Sequence, residues 1–374
     1  MRVYADNAAM KPLLPEVKEV IREFLDADIR NPSAVYADGR KTKKLIEEAR
    51  CTVAKAIGAD PDEIYFTSGA TESINWFCHE DKKYLLTTPI EHKAVLNNAT
   101  KNNYIPVDEN GRVILDRFRK IVTSIKGAYN VVVGWVNNEI GTIQPVKEIS
   151  DICQEARACL CVDATQAIGH IPIDIHEFGC ACLVGSFGKL GGLSGSGFMY
   201  IKDGTYIEPL IKGGGQERGM RASTENILGI IAGAKAIEVA TAHIAPNTVR
   251  RDYIIENLLQ IPKSHLNGSW VRRVDNNINI AFEGIEAESL VLMCDMSGLQ
   301  ISAGASCNSA SIEPSHVLKA IGLSDNLAKA SIRITIGDDI TDEEVEFIIK
   351  TVTDCVAKLR SMSPAWKEIE NESN

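Results

Sequence analysis

One cysteine, Cys307, sits in the run Ser302-Ala303-Gly304-Ala305-Ser306-Cys307-Asn308-Ser309-Ala310-Ser311, among small and hydroxylated residues. Such residues bury little apolar area. Between the strand-like Leu299-Gln300-Ile301-Ser302 and Glu313-Pro314 they read as a mobile loop. Thiol chemistry uses the thiolate, and an unperturbed thiol has a pKa of about 8.5, so a reactive cysteine needs exposure and a nearby donor or positive charge. Taken alone, the segment fits a nucleophile and an idle surface thiol equally well.

Three further segments carry chemistry. Thr67-Ser68-Gly69-Ala70-Thr71-Glu72-Ser73 follows a strand pattern and opens a helical one, offering backbone N–H groups and hydroxyls to an anion or serving as an ordinary helix cap. Val162-Asp163-Ala164-Thr165-Gln166 places a carboxylate at the end of an apolar strand. An unpaired charge is costly there, so Asp163 calls for a cationic side chain or a protonated heterocyclic nitrogen. Ser186-Phe187-Gly188-Lys189 ends the next strand on a lysine and is followed by Gly191-Gly192-Leu193-Ser194-Gly195-Ser196-Gly197. An anion site, a strand-end aspartate and a lysine amine on successive strands are together what pyridoxal 5'-phosphate requires.

The elements that must position these groups alternate in type. Residues 15–27 and 41–57 place apolar side chains on one helical face and read as surface helices. Apolar, β-branched runs at 64–67, 84–88, 131–136, 160–163, 182–186 and 198–201 read as strands buried on both faces. The expectation is an α/β fold: a large cofactor-binding domain over residues 13–245, with a mainly parallel sheet flanked by helices. Beyond a helix near 227–243, the stretches 277–282 and 331–336 alternate as one-sided antiparallel strands do. A smaller α+β domain is expected from residues 1–12 and 246–374, carrying Cys307, with a disordered polar tail from about Lys367.

Composition bounds the function. The chain of 374 residues has 40 basic against 50 acidic residues, a formal net charge of -10, which argues against a general nucleic-acid binder. Ten cysteines occur with no CxxC pair and no metal-ligand spacing, so neither a zinc site nor a disulfide framework is expected. No apolar signal core and no membrane-length apolar span is present, which points to a cytoplasmic protein.

With these segments in view, the chain resembles the cysteine desulfurases of the NifS/IscS-like kind, within the class V aminotransferases of fold-type I. The likeness runs through Tyr4-Ala5-Asp6-Asn7-Ala8-Ala9, Asn31-Pro32-Ser33, Glu91-His92-Lys93-Ala94-Val95, Asn137-Asn138-Glu139-Ile140-Gly141, Gly213-Gly214-Gly215-Gln216-Glu217-Arg218-Gly219 and Ser331-Ile332-Arg333. Around Cys307 the small residues lead into Glu313-Pro314-Ser315-His316, as in the family.

The resemblance implies a role for each matching residue. Lys189 would hold the cofactor through its amine and move the substrate Cα proton, and Asp163 would keep the pyridine nitrogen protonated. Gln166 would bond the phenolic oxygen, and His92 would stack on the ring and transfer protons. Ala70, Thr71 and Ser186 would take the phosphate, with Thr224 reaching it from the second subunit of a homodimer. Arg333 would clamp the substrate carboxylate, aided by Asn138, which also neighbours the cofactor. L-cysteine would yield L-alanine and a persulfide on Cys307, passed to a sulfur-acceptor protein such as an iron-sulfur scaffold or a tRNA or DNA thiolation protein.

Departures from the pattern are Gly188 where histidine is usual before the lysine, Met10 for threonine, Tyr36 for histidine and Leu193-Ser194-Gly195 for Pro-Lys-Gly. A selenocysteine lyase-like or other class V enzyme, and a weakly active sulfur-transfer scaffold, are the alternative readings. Trp366 in Ser363-Pro364-Ala365-Trp366-Lys367-Glu368 is expected either to help dock a partner or to pack back on its own domain.

Overall fold

The computed structural model describes residues 1–79, 84–242, 244, 246–304 and 313–373. Cys307 and its neighbours from 305 to 312 lie outside these residues.

Short apolar runs form the main sheet, as the two-faced burial pattern requires. Its strands are β2 (Ile64–Thr67), β3 (Tyr84–Thr87), β4 (Tyr129–Gly134), β5 (Cys159–Asp163), β6 (Cys182–Ser186) and β7 (Gly197–Ile201), after a short N-terminal β1 (Val3–Tyr4). The spatial order is β2-β7-β6-β5-β4-β3, with β3 to β6 mutually parallel and β7 antiparallel to both its neighbours. Val131, Val133, Leu160, Val162 and Leu183 enter the core on one face, and Val132, Cys161, Cys182 and Val184 enter a second cluster on the other.

Helices cover the first face. Helix Ala37–Ile57 packs along helix Ile227–Ala242 and buries Ile46, Ala49, Val53, Ala54 and Ile57, so it is an integral core element rather than a surface helix. Helix Pro15–Asp26, which buries only Val17, matches the surface expectation.

The remaining strands are β8 (Ser264–Leu266), β9 (Asn277–Phe282), β10 (Leu299–Gln300), β11 (Ser302–Ala303) and β12 (Ser331–Thr335). A second, antiparallel sheet has the order β11-β12-β9-β8, whereas β10 pairs in parallel with β1 in a separate two-stranded sheet. The strand-like stretch 299–302 is therefore two short strands in different sheets.

The alternating strands are not one-sided. Every residue of β9 and β12 is buried. Their apolar side chains Ile278, Ile280, Ile332 and Ile334 fill a separate core. The polar face meets the first part of the chain instead of water, with Asn277 and Asn279 both donating through Nδ2 to the Glu139 carbonyl at 3.1 and 3.0 Å. Alternation reports a change of polarity across the sheet, and here both faces are covered, the polar one by hydrogen-bonding groups from the first part of the chain.

The tail also departs from expectation. Residues from Lys367 belong to a helix, Pro364–Ser373, rather than a disordered segment. Trp366 fixes it: the Arg360 guanidinium lies 3.8 Å from the Trp366 ring centroid, and the ring packs over Gly284. One aromatic anchor thus orders a stretch whose composition is otherwise polar.

Candidate active site

Parallel strands deliver their C-terminal ends to one edge of the sheet, and the loops leaving that edge carry the chemistry. β2 runs in the same sense as β6 because two antiparallel pairings through β7 separate them. One edge therefore gathers Thr67 with Ala70 and Thr71, His92 beyond β3, Asn138 beyond β4, Asp163 and Gln166 at β5, and Ser186 and Lys189 at β6.

Helix Ala70–Cys78 starts at this edge without a side-chain cap, so its first N–H groups are available to an anion. Its N-cap Gly69 has φ 145°, a conformation that L side chains rarely adopt. A Cβ at Gly69 would stand 4.0 Å from Ser186 Oγ, which places that hydroxyl beside the helix start. Behind the turn, a Cβ on Gly197 would meet the Gly185 carbonyl at 2.6 Å and Gly69 Cα at 2.7 Å. The backbone is packed tightly under the anion-facing turn, and glycine is what permits it.

Glu72 in the first turn accepts from Arg221 Nε at 2.9 Å and Nη2 at 3.1 Å, and from the Ser68 amide at 2.8 Å. Burial alone would raise the Glu72 pKa, but these donors prevail and hold it below the usual value. The 213–226 segment is thereby tied to the turn. A second tie is the buried Arg50–Glu217 pair, in which both guanidinium Nη atoms meet the carboxylate at 2.8 Å. Thr224 lies three residues beyond Arg221 and is exposed.

Lys189 and Gln166 line one small cavity together with Asn7, Lys11 and Thr165. The Lys189 amine donates to the carbonyls of Ala8, at 3.0 Å, and Ala9, and Gln166 Nε2 donates to the same Ala8 carbonyl at 3.1 Å. Asp163 accepts from the Thr165 amide at 3.0 Å. His92 is exposed and caps helix Lys93–Leu96, its Nδ1 accepting from the Ala94 amide at 3.1 Å. A neutral ring bonded in this way carries its proton on Nε2. Gly188 is buried, and a Cβ there would meet Ser194 Oγ at 3.1 Å, so the residue that departs from the family pattern is crowded by the glycine-rich turn that follows it.

Arg333 is not an exposed strand arginine. It is 1% exposed and gives Nη2 to Asp6 Oδ1 at 2.7 Å and Nη1 to the Asn138 carbonyl at 3.0 Å. The bond to Asn138 runs to its backbone.

Several residues join these groups although motif reading assigned them no role. Asp6, Ala8 and Ala9, within one four-residue stretch of chain, connect Arg333 to Lys189. Glu91, 6% exposed, accepts from Thr88 Oγ1 at 2.6 Å and from the Gly134 amide at 2.8 Å. Burial, with a smaller contribution from Asp163, pushes the Glu91 pKa up to about 7. Glu139 is fully buried, accepts from Ser315 Oγ and is raised by that burial, while His316, Arg333 and Lys93 partly offset it. His316 Nε2 lies 2.9 Å from the Glu91 carbonyl, so Ser315 and His316, just beyond the Cys307 segment, are fastened to the loops beyond β3 and β4. The signal for these residues was their place inside the quoted motifs.

Six of the other described cysteines are buried, Cys78 and Cys159 are half-buried and Cys51 is exposed. Burial pushes the Cys78 and Cys153 thiols up to about 12, and none of the nine cysteines among the described residues is joined in a disulfide. Among the described residues no cluster of His, Cys, Asp or Glu could hold a metal ion, and no helix is long and apolar enough to cross a membrane.

A model of the aminotransferase class-V family matches residues 3–348. The chain belongs to the class-V aminotransferase family. Within this family it is 42% identical over 380 residues to cysteine desulfurase IscS of Methanosarcina thermophila, covering 97% of this chain and 94% of that protein. It is 40% identical over 388 residues to cysteine desulfurase IscS of Clostridium botulinum, covering 98% and 97%. Among solved structures, a NifS-like protein superposes with a TM-score of 0.88 at 33% identity, covering 96% of this chain and 100% of that one. SspA in complex with cysteine superposes at 0.77 with 30% identity, covering 90% and 99%. The class-V assignment agrees with the mainly parallel sheet flanked by helices.

Proposed function

We propose that this class-V family member is a cysteine desulfurase, converting L-cysteine to L-alanine and leaving the sulfur as a persulfide on Cys307. The observation that carries the reading is one sheet edge bearing a lysine amine, a strand-end aspartate and an uncapped helix start beside a serine hydroxyl. Its relatives named cysteine desulfurase IscS favour it over the selenocysteine lyase-like and scaffold alternatives.

These residues fit pyridoxal 5'-phosphate. The phosphate suits the uncapped amides of Ala70 and Thr71 with Ser186, and Thr224 of a second subunit would complete that site in a homodimer. Asp163 suits a protonated ring nitrogen, Gln166 a phenolic oxygen, and His92 a ring face. When bound, the cofactor supplies an electron sink that acidifies the substrate Cα–H.

The chain's own groups do the rest. Lys189 Nζ takes the Cα proton, and the Ala8 and Ala9 carbonyls hold that amine in the cavity until a ligand claims it. Arg333, with Asn138 beside it, receives the substrate carboxylate. Cys307 Sγ, as thiolate, bonds to the substrate sulfur as the substrate Cβ–S bond breaks. The electron pair of that bond stays with carbon, which is protonated to L-alanine, and the substrate sulfur stays on Cys307. A sulfur-acceptor protein in the cytoplasm would then take the terminal sulfur. In this reading residues 1–12 and 246–374 form the domain that brings Arg333 and Cys307 to the domain formed by 13–245.

The test is sulfide and L-alanine release from L-cysteine with reductant, comparing the wild type with Cys307→Ala. Equal yields in the wild type, with sulfide lost and the cofactor spectrum kept in the variant, support the reading. Wild-type protein that binds cofactor and releases neither product refutes it.

A further inference from the structure

Arg333 and Asp6 form an ion pair whose two sides differ in access. The guanidinium is sealed, with a side chain 1% exposed, whereas the Asp6 side chain is 18% exposed and lies on the open side of the pair. Asp6 is held by its backbone. It bridges Thr335, two residues from Arg333 on β12, and its carbonyl accepts from Tyr4 Oη at 3.0 Å. The next residue, Asn7, donates through Nδ2 to the Thr335 carbonyl at 2.8 Å and lines the cavity that holds Lys189. Nothing in this stitching depends on the Asp6 carboxylate, which is therefore at liberty to leave the guanidinium without unfastening the strand.

A buried guanidinium without a counter-ion is strongly unfavourable. Glu139 also acts on Arg333 electrostatically, but a carboxylate that binds the guanidinium directly and departs again exposes part of that cost at each departure unless another anion takes its place. Substrate and product present the same problem: L-cysteine and L-alanine share the α-carboxylate and α-amine, so a tight clamp holds both alike and slows release.

We propose that Asp6 is the internal exchange partner of the amino acid α-carboxylate on Arg333, a positioning residue that sets how tightly substrate and product are held. It pairs with Arg333 when the site is empty, yields when a carboxylate arrives, and reclaims the guanidinium as L-alanine leaves. This rests on the reading that Arg333 meets the substrate carboxylate.

The experiment is calorimetric binding of L-alanine and of L-alaninamide to the holoenzyme, for the wild type, Asp6→Asn and Asp6→Glu, alongside KM and kcat for L-cysteine. Asp6→Asn keeps the shape and a hydrogen-bond acceptor while removing the competing charge. L-alanine should bind about tenfold tighter to it, the order of one charge-assisted hydrogen bond no longer displaced. KM should fall with kcat not raised, L-alaninamide should show no gain, and Asp6→Glu should return near the wild type. Unchanged or weaker L-alanine binding in Asp6→Asn overturns the proposal, because a purely structural carboxylate can only loosen the site when lost. An equal gain for L-alaninamide overturns it as well. Wild-type protein that binds L-alaninamide as tightly as L-alanine instead removes the Arg333 reading, and the proposal falls with it.

Discussion

Removing Glu217 isolates the energetics of the segment that leads to Thr224. Arg50 and Glu217 each have a side chain 3% exposed. Beyond its two bonds to Arg50, Glu217 Oε2 accepts the Phe66 amide at 2.8 Å, which belongs to β2. Arg50 also gives Nη1 to the Ile64 carbonyl at 2.8 Å and Nε to Glu47 at 3.1 Å. Burial opposes the charge on Arg50, yet Glu217 and Glu47 hold its proton more firmly than usual. Glu217→Ala would leave a sealed guanidinium with the half-exposed Glu47 as its remaining carboxylate among the described residues and leave the Phe66 amide unpaired. Breaking a buried pair on one side costs about 3 to 5 kcal/mol. With an unfolding entropy of about 2.1 cal/mol/K per residue, 4 kcal/mol lowers the midpoint of a chain of this size by about 5 °C. Thermal unfolding followed by circular dichroism, with urea unfolding as a second measure, reads both quantities. The double variant Arg50→Met with Glu217→Leu should recover much of the loss, since an apolar pair of similar volume leaves no charge uncompensated. A Glu217→Ala protein within about 1 kcal/mol of wild type, or a double variant no better than the single one, would refute the reasoning.

Glu91 should make stability depend on pH. Its carboxyl, raised by burial from 4.5 to about 7, binds more protons in the folded than in the unfolded protein between those values. Its contribution is therefore complete below about pH 4.5 and is lost as pH rises through about 7, a span worth about 3 kcal/mol. Glu91→Gln should flatten this part of the urea-midpoint profile; an identical slope in both proteins would exclude Glu91 as its source. Gly197→Ala should push the Gly69 turn out of place, because the added methyl meets backbone on both sides and no side chain can move aside. Cofactor affinity should drop at least about tenfold with the fold retained, as read by absorbance titration; unaltered affinity would show that the turn does not hold the phosphate.

Local sequence determined most of the elements. Uninterrupted apolar runs such as Val131-Val132-Val133 and Cys182-Leu183-Val184 can only be satisfied between two covered faces, and parallel pairing follows from the helices between them. It also marked which loops are candidates for chemistry, because strand ends that break into Ser-Gly-Ala-Thr or Asp-Ala-Thr-Gln are legible without a partner in view. Tertiary structure decided what those groups touch. Alternation at 277–282 and 331–336 has the same appearance whether the polar face meets water or the Glu139 carbonyl, so the burial of Arg333 could not be read from it. The tail after Lys367 reads as polar because a single ring, Trp366, supplies its anchorage, and a ring has no periodicity to detect. Asp6 meets Arg333 across 327 residues of chain, and Glu217 meets Arg50 across 167. Pairings of that range follow from how sheets and helices close on one another, and a linear pattern holds no record of them.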